Sequence, residues 1–290
     1  MKQRLDAILV ERNFCSSRQQ AQRLIRAGAV RVNHQLIDKP GTAIDSGAEI
    51  QLKARSPYVS RGGEKLAKAL DIFQISVQDR ICLDGGISTG GFTDCLFQRG
   101  AAQVYGIDVG YGQVDWQLRN DPRLILWERT NLRHLTPEQL YGEADPLAKS
   151  PSEDNTRGRH ADLAVVDVSF ISLGKVLPAL WNLLDHPREA ILLVKPQFEV
   201  GRERVGKKGV VRNPADHAQA IFQVCEAASA LGWQYRGLTW SPLVGPAGNI
   251  EYLLWLATTG LPFPTLTAIA IVTDNAQQDL TPTSPNHAEF

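Results

Sequence analysis

Ile81-Cys82-Leu83-Asp84-Gly85-Gly86-Ile87-Ser88-Thr89-Gly90-Gly91-Phe92-Thr93-Asp94 is the stretch on which the fold turns. A short apolar run meets an acid, a glycine-rich turn follows, and a helical pattern takes over after Gly91. Strand, turn and helix in that order aim backbone amides and a helix N-terminus at one point, as parallel α/β sheets do when they hold nucleotide-type ligands. Glycine raises the entropy cost of folding, so glycine or serine at five of the seven positions from Gly85 to Gly91 needs a reason. Close approach of a ligand to the backbone supplies one. The competing reading is a tight βα turn that binds nothing.

Two ligand fingerprints can be tested against the spacing. A dinucleotide pattern counted from Gly86 requires glycine where Ser88 stands, and a phosphate-binding loop requires lysine where Phe92 stands. Neither fits. What remains is an acid and a glycine turn, then a second acid, Asp108, closing the next apolar run, Val104-Tyr105-Gly106-Ile107. An acid about 20 residues past such a turn sits at the end of the neighbouring strand, where it can accept from ribose hydroxyls. The cofactor expected from this combination is S-adenosylmethionine. Asn131, closing a third apolar run, is placed to meet a base edge.

Further along, Ala164-Val165-Val166-Asp167 is an apolar strand ending in a third acid, and Ile191-Leu192-Leu193-Val194 is another that ends at Lys195-Pro196. A lysine at the end of a buried strand loses hydration, which makes it a candidate to take a proton. Glu251 opens a late apolar segment and is either an edge charge or a site residue. Before the glycine turn, Ser60-Arg61-Gly62-Gly63-Glu64-Lys65 leads into a helix marked by Leu66, Ala69, Leu70 and Phe73. Lys65 falls in its first turn, where a cation opposes the helix dipole, so stability alone does not explain it. An ordinary surface lysine is the alternative.

The first 61 residues carry eleven Lys or Arg against five Asp or Glu, although the 290-residue chain has no net charge. Ser16 and Gln19 read as a capping box before a helix that stops at Gly28. One side of that helix carries Arg18, Gln19, Gln22, Arg23 and Arg26, and the other carries Ala21, Leu24 and Ile25. The segment resembles an S4 RNA-binding domain, which implies that Arg18, Arg23 and Arg26 meet RNA phosphates; such contacts fix position without reading sequence.

The four cysteines have no metal-ligand spacing and read as reduced and structural, and no metal is expected. No uncharged run approaches the roughly 18 residues of a membrane span, and no apolar signal core follows the polar start, so a cytoplasmic protein without membrane partners is expected. Residues 142–160 turn polar and aperiodic and read as an insertion loop. Residues 261–290 read as a mobile tail. The expected domains are therefore 1–59, S4-like with its linker, and 60–260, which holds the chemistry.

Together these motifs, with Ser88-Thr89-Gly90-Gly91-Phe92-Thr93-Asp94, Asp108-Val109-Gly110-Tyr111-Gly112-Gln113, Asp167-Val168-Ser169-Phe170-Ile171-Ser172, Lys195-Pro196-Gln197-Phe198-Glu199 and Gly248-Asn249-Ile250-Glu251-Tyr252, resemble the TlyA family. That family, also labelled hemolysin A, joins an S4 domain to an FtsJ-like ribose 2′-O-methyltransferase domain. The resemblance runs from residue 2 to about residue 258. It implies an α/β fold: a Rossmann-like, S-adenosylmethionine-dependent methyltransferase domain with a small N-terminal α+β S4 domain. It also implies methylation of ribosomal RNA, at a cytidine, with ribosomal RNA or ribosomal subunits as partner. The tetrad it implies is Lys65, Asp167, Lys195 and Glu251. Cofactor contacts fall to Asp84, Gly86, Ser88, Gly90, Gly91 and Phe92, with Asp108 at the ribose and Asn131 near the adenine. Two departures stand out: Gly85 replaces an apolar residue after the first acid, and residues 142–160 are longer than the family needs. A non-catalytic ribosome-binding or assembly factor and a membrane-active hemolysin are the alternatives from other classes.

Overall fold

The computed structural model describes residues 2–26, 28–52, 56–142 and 160–280. Most of the expected insertion, from 143 to 159, and the end of the expected tail, 281–290, lie outside the described residues. The chain divides into two compact units, Met1–Ser56 and Pro57–Phe290.

The first unit runs β1 (Lys2–Arg4), α1 (Leu5–Glu11), α2 (Arg18–Arg26), β2 (Val30–Val32), β3 (Gln35–Leu36), β4 (Ala43–Asp45) and β5 (Ile50–Leu52). Strand β1 pairs antiparallel with β4, and β2 lies between β3 and β5. Leu5, Ile8, Leu9, Ala21, Ile25 and Val30 close its core, so the apolar face read from α2 is the one buried. The cap of α2 falls one residue later than expected: Gln20 N donates to Ser17 Oγ at 3.3 Å, while the Gln20 amide oxygen accepts from Ser16 N at 3.0 Å. The basic face also differs. Asp6 is fully buried and takes hydrogen bonds from Arg4, Arg18 and Gln22. Arg18 therefore serves the fold, because a buried carboxylate needs paired donors.

The second unit is built on one seven-stranded sheet. Its elements are α3 (Gly62–Phe73), β6 (Ile81–Gly85), α4 (Gly91–Gln98), β7 (Gln103–Ile107), α5 (Trp116–Arg119), β8 (Leu124–Trp127), α6 (Pro137–Tyr141), β9 (Leu163–Val166) and α7 (Leu177–Leu183). After these come β10 (Glu189–Val194), α8 (Pro196–Glu199), α9 (Pro214–Ser229), β11 (Gln234–Trp240), β12 (Tyr252–Ala257) and α10 (Leu266–Leu280). The sheet order is β11-β12-β10-β9-β6-β7-β8, with β12 antiparallel to both neighbours and β6 to β10 mutually parallel.

Period-two alternation divides the core between the faces of the sheet. Along β10, Ala190, Leu192 and Val194 join one apolar cluster, and Ile191 and Leu193 join the other. Burial on both faces explains why the central strands are continuous apolar runs rather than alternating ones. Strand order reverses between β6 and β9, and the carboxyl ends of strands at such a reversal are where α/β sheets open a crevice.

The chain beyond Gly260 departs from the expected mobile tail. Leu266–Leu280 is a helix whose Ile269, Thr273 and Ala276 are fully buried, and Trp240 Nε1 donates to Asp279 at 3.0 Å. Of the run Ala268 to Val272 only Ile269 is fully buried, while Ile271 is 59% exposed, so the packed face is Ile269, Thr273 and Ala276 rather than the apolar run itself.

Candidate active site

Each acid or lysine singled out at a strand end stands one residue beyond its strand, apart from Asp84 inside β6. Asp108 follows β7, Asp167 follows β9, Lys195 follows β10, and Glu251 precedes antiparallel β12. The register pairs Val194 with Tyr252, so Lys195 and Glu251, the next residues outward, reach the same end of the sheet.

There the tetrad forms two ion pairs. Lys65 Nζ donates to Glu251 Oε2 at 2.5 Å, with the side chains only 12% and 2% exposed. Lys195 Nζ donates to Ser169 Oγ at 2.8 Å and lies 2.6 Å from Asp167 Oδ1, which accepts no aligned hydrogen bond. Two clefts meet at this point. One, of about 480 Å³, is lined by Gly86, Ser88, Asp108, Asn131, Asp167 and Phe170, among others. The second, of about 370 Å³, includes Lys195, Gln197, Phe198, Asn249 and Glu251. Ser169 and Phe170 belong to both. Phe170 is 91% exposed and holds φ +64°, a costly backbone state for an aromatic residue.

The first cleft has the donor set for a nucleoside cofactor. Asp108 is fixed by two backbone amides, Ser88 N to Oδ2 and Gly110 N to Oδ1, both at 2.7 Å. A carboxylate has lone pairs to spare beyond two such bonds, so it can still accept from ribose hydroxyls. At Gly86, φ is +88° and a Cβ would come within 2.7 Å of the Asp167 carbonyl oxygen, so only glycine closes the turn against β9. The exposed Asn131 also lines this cleft, and its side chain accepts from Arg133 N at 3.1 Å. These residues fit S-adenosylmethionine: a carboxylate for the ribose, an amide near the base, and Asp167 to face a positive charge.

Four expected contacts do not line the cleft. Asp84 is fully buried and accepts from Thr93 Oγ1 at 2.7 Å. Burial first, then the charges of Asp167 and Asp108, push its carboxyl up to about 7 against the Thr93 hydrogen bonds. Gly90 caps α4 with φ +95°. Gly91 lets α4 meet the start of α3, since a Cβ would lie 2.2 Å from Ser60 Oγ. Phe92 is 4% exposed and packs in the core, because the first turn of α4 points its apolar side inward. These residues shape the turn from outside the cleft lining. Ser169, Phe170 and Gln197 were not singled out from the sequence. Each sat inside a quoted motif, but neither the positive φ nor the burial of an amide is visible in residue order.

Among the described residues there is no cluster of His, Cys, Asp and Glu able to hold a metal, and no helix long and apolar enough to cross a membrane.

The sequence pattern of the FtsJ-like methyltransferase family matches residues 58–258, and that of the S4 domain matches residues 3–50. A curated relative, the 16S/23S rRNA (cytidine-2′-O)-methyltransferase TlyA of Mycobacterium tuberculosis, is 48% identical over 257 residues, 88% of this chain and 90% of its own. Hemolysin A of Brachyspira hyodysenteriae is 38% identical over 250 residues, 86% of this chain and 98% of its own. Among solved structures, a Streptococcus thermophilus protein with a provisional hemolysin name superposes with a TM-score of 0.72 at 39% identity, covering 96% of both chains.

Proposed function

The chain belongs to the FtsJ-like methyltransferase family and carries an S4 domain, and from that premise we propose that it methylates the ribose 2′-hydroxyl of a cytidine in ribosomal RNA, using S-adenosylmethionine. The observation that carries this reading is the meeting of two lysine–carboxylate pairs, Lys65–Glu251 largely buried and Lys195–Asp167 half-buried, where two clefts share a wall. Burying an ion pair costs desolvation that packing with apolar residues would avoid, so such pairs are poor devices for stability. A non-catalytic platform has no use for two of them. A transfer enzyme does, since it must orient two substrates and manage one proton.

S-adenosylmethionine supplies a methyl group on a positively charged sulfur. Asp108, Asn131, Gly86 and Ser88 would hold it in the first cleft, with Asp167 at the inner wall. The second cleft takes the nucleotide, and Phe170 and Phe198, with ring centroids 5.2 Å apart, offer aromatic surface for its base. Lys195 orients the attacking hydroxyl and takes or steers its proton. Asp167 and Ser169 hold the Lys195 head, and Glu251 holds Lys65, which binds the neighbouring phosphate or hydroxyl. Arg23 and Arg26, exposed in the last turn of α2, supply phosphate contacts from the S4 unit. With ribosomal RNA or a ribosomal subunit as substrate, the working compartment is the cytoplasm.

The test is to map 2′-O-methyl marks in ribosomal RNA from cells with and without the gene, and to restore the missing mark with purified protein and labelled S-adenosylmethionine. One cytidine mark lost on deletion and restored in vitro is the expected result. An unchanged methylation map, with no label transferred to either subunit, would sink the reading.

A further inference from the structure

The nucleotide cleft contains polar groups that the chemistry above leaves unused, and Gln197 is the one with a buried, unpartnered atom among the described residues. Gln197, two residues past Lys195 on α8, lines the cleft, and its amide oxygen is buried without a hydrogen-bond partner. Four of its polar neighbours in the cleft are engaged. Asn249 accepts from Val211 N at 3.0 Å and donates to Gly209 O at 2.9 Å. Lys195 and Ser169 bind each other, and Glu251 holds Lys65. A buried acceptor left without a donor destabilises the fold, and an apolar side chain of similar length would fill the wall without that cost.

The segment carrying Gln197 is also fixed. Phe198 N donates to Lys195 O at 2.9 Å, and Glu199 accepts from Ser172 Oγ at 2.7 Å and from Leu173 N at 2.9 Å. The amide is therefore presented from a braced turn. Phe170 and Phe198 line the same cleft. Aromatic surface for stacking beside a polar group that meets the base edge is the combination by which extruded bases are read.

We propose that Gln197 reads the base of the nucleotide undergoing methylation, its amide oxygen accepting from the exocyclic amine of a cytosine. The inference rests on the methyl transfer proposed above and deepens it, by naming the side chain that sets base preference. Cytosine carries an amine donor where uracil carries a carbonyl oxygen. An amide oxygen in the wall favours the first. Gln197 moves no proton, so it is a specificity residue acting on how the nucleotide is seated.

The test uses the full chain and ribosomal subunits reconstituted with RNA carrying, at the mapped site, either cytidine or pyrimidin-2-one riboside, which lacks only the amine. Wild type should favour cytidine by about 10- to 100-fold in kcat/KM, and Gln197→Leu should treat the two alike within about threefold. Gln197→Met is the second apolar variant, and thermal unfolding checks that each variant folds. Preference absent from wild type, or kept in a folded Leu or Met variant, would overturn the proposal. A wild-type enzyme that methylates neither substrate would remove the parent reading and this inference with it, a result distinct from methylation without preference.

Discussion

Lys195 is held by a carboxylate and a hydroxyl while it lines the cleft assigned to the nucleotide. A group that handles the hydroxyl proton contributes about 100-fold or more, so Lys195→Ala should lower the single-turnover rate by at least that much with little change in cofactor affinity. Lys195→Arg keeps the charge but cannot give up a proton. An Arg variant near the wild-type rate would rule out the base role and leave orientation. Asp84 makes a separate prediction. Its carboxyl is pushed up to about 7 by burial, against an ordinary 3.8. Below pH 4 the group is protonated in both states and exacts no penalty. As pH rises from about 4 to 7 the unfolded chain loses this proton before the folded one does, so the group's contribution to stability falls across that window and stays low above it. Asp84→Asn keeps an acceptor for Thr93 and removes the titration. It should therefore raise stability at pH 8, by up to a few kcal/mol, and leave it nearly unchanged at pH 4. Thermal melts that shift equally at both pH values would contradict this. Asp167 and Lys195 stood out because apolar runs stop at each of them, whereas their grouping with Lys65 and Glu251 came from the family resemblance. The Ser169 and Asp167 contacts of Lys195 were not legible in the sequence, since they span 26 residues or more, and the depth of Asp84 is set by β7 and β9 pairing on either side of it.

At the scale of the element, α2 shows what helical periodicity does and does not tell. It separated the buried Ala21 and Ile25 from the arginines, but the partner of Arg18, Asp6, comes from α1, which periodicity within α2 cannot show. Arg18→Ala should cost about 1 kcal/mol of stability in the N-terminal unit, because Arg4 and Gln22 still serve the buried Asp6. Arg23→Ala and Arg26→Ala should leave stability unchanged and each reduce the salt slope of RNA binding by about one unit. Urea denaturation and binding over a range of salt concentrations separate the two behaviours. Helix α10 makes the complementary point. Its polar composition hid three buried positions spaced for one face, Ile269, Thr273 and Ala276. An isoleucine in a mobile tail could be truncated freely. A packed one costs about 2–5 kcal/mol when cut to alanine, and Ile269→Ala tested by urea denaturation decides between them.

For the whole molecule, the division of labour follows from where the chain separates into units. From the sequence, Ser56-Pro57-Tyr58 reads as a linker and the S4-like segment is expected to end at residue 59. The structure ties residues 57 to 59 to the catalytic unit instead. Pro57 O accepts from Gln98 Nε2 at 2.9 Å, Val59 N donates to Asp94 at 2.7 Å, and the Tyr58 ring lies where a Cβ on Gly63 would come within 2.2 Å of it. Gly63 is thus glycine because Tyr58 packs on the first turn of α3, the turn that carries Lys65. A fragment beginning at Pro57 should bind S-adenosylmethionine as the full chain does while methylating ribosomal subunits poorly, since phosphate contacts from the S4 unit are gone. A fragment beginning at Ser60 lacks the same unit and also the three residues that seat α3 against α4. It should unfold at a lower temperature than the 57–290 fragment and lose further rate through misplacement of Lys65, because small errors in positioning are costly to catalysis. Calorimetry for cofactor affinity, thermal melts and single-turnover rates on both fragments make the comparison. Equal stability and equal rate would show that Pro57, Tyr58 and Val59 are linker after all. A 57–290 fragment that methylates subunits at the full-length rate would show that the S4 unit is not where affinity for RNA resides.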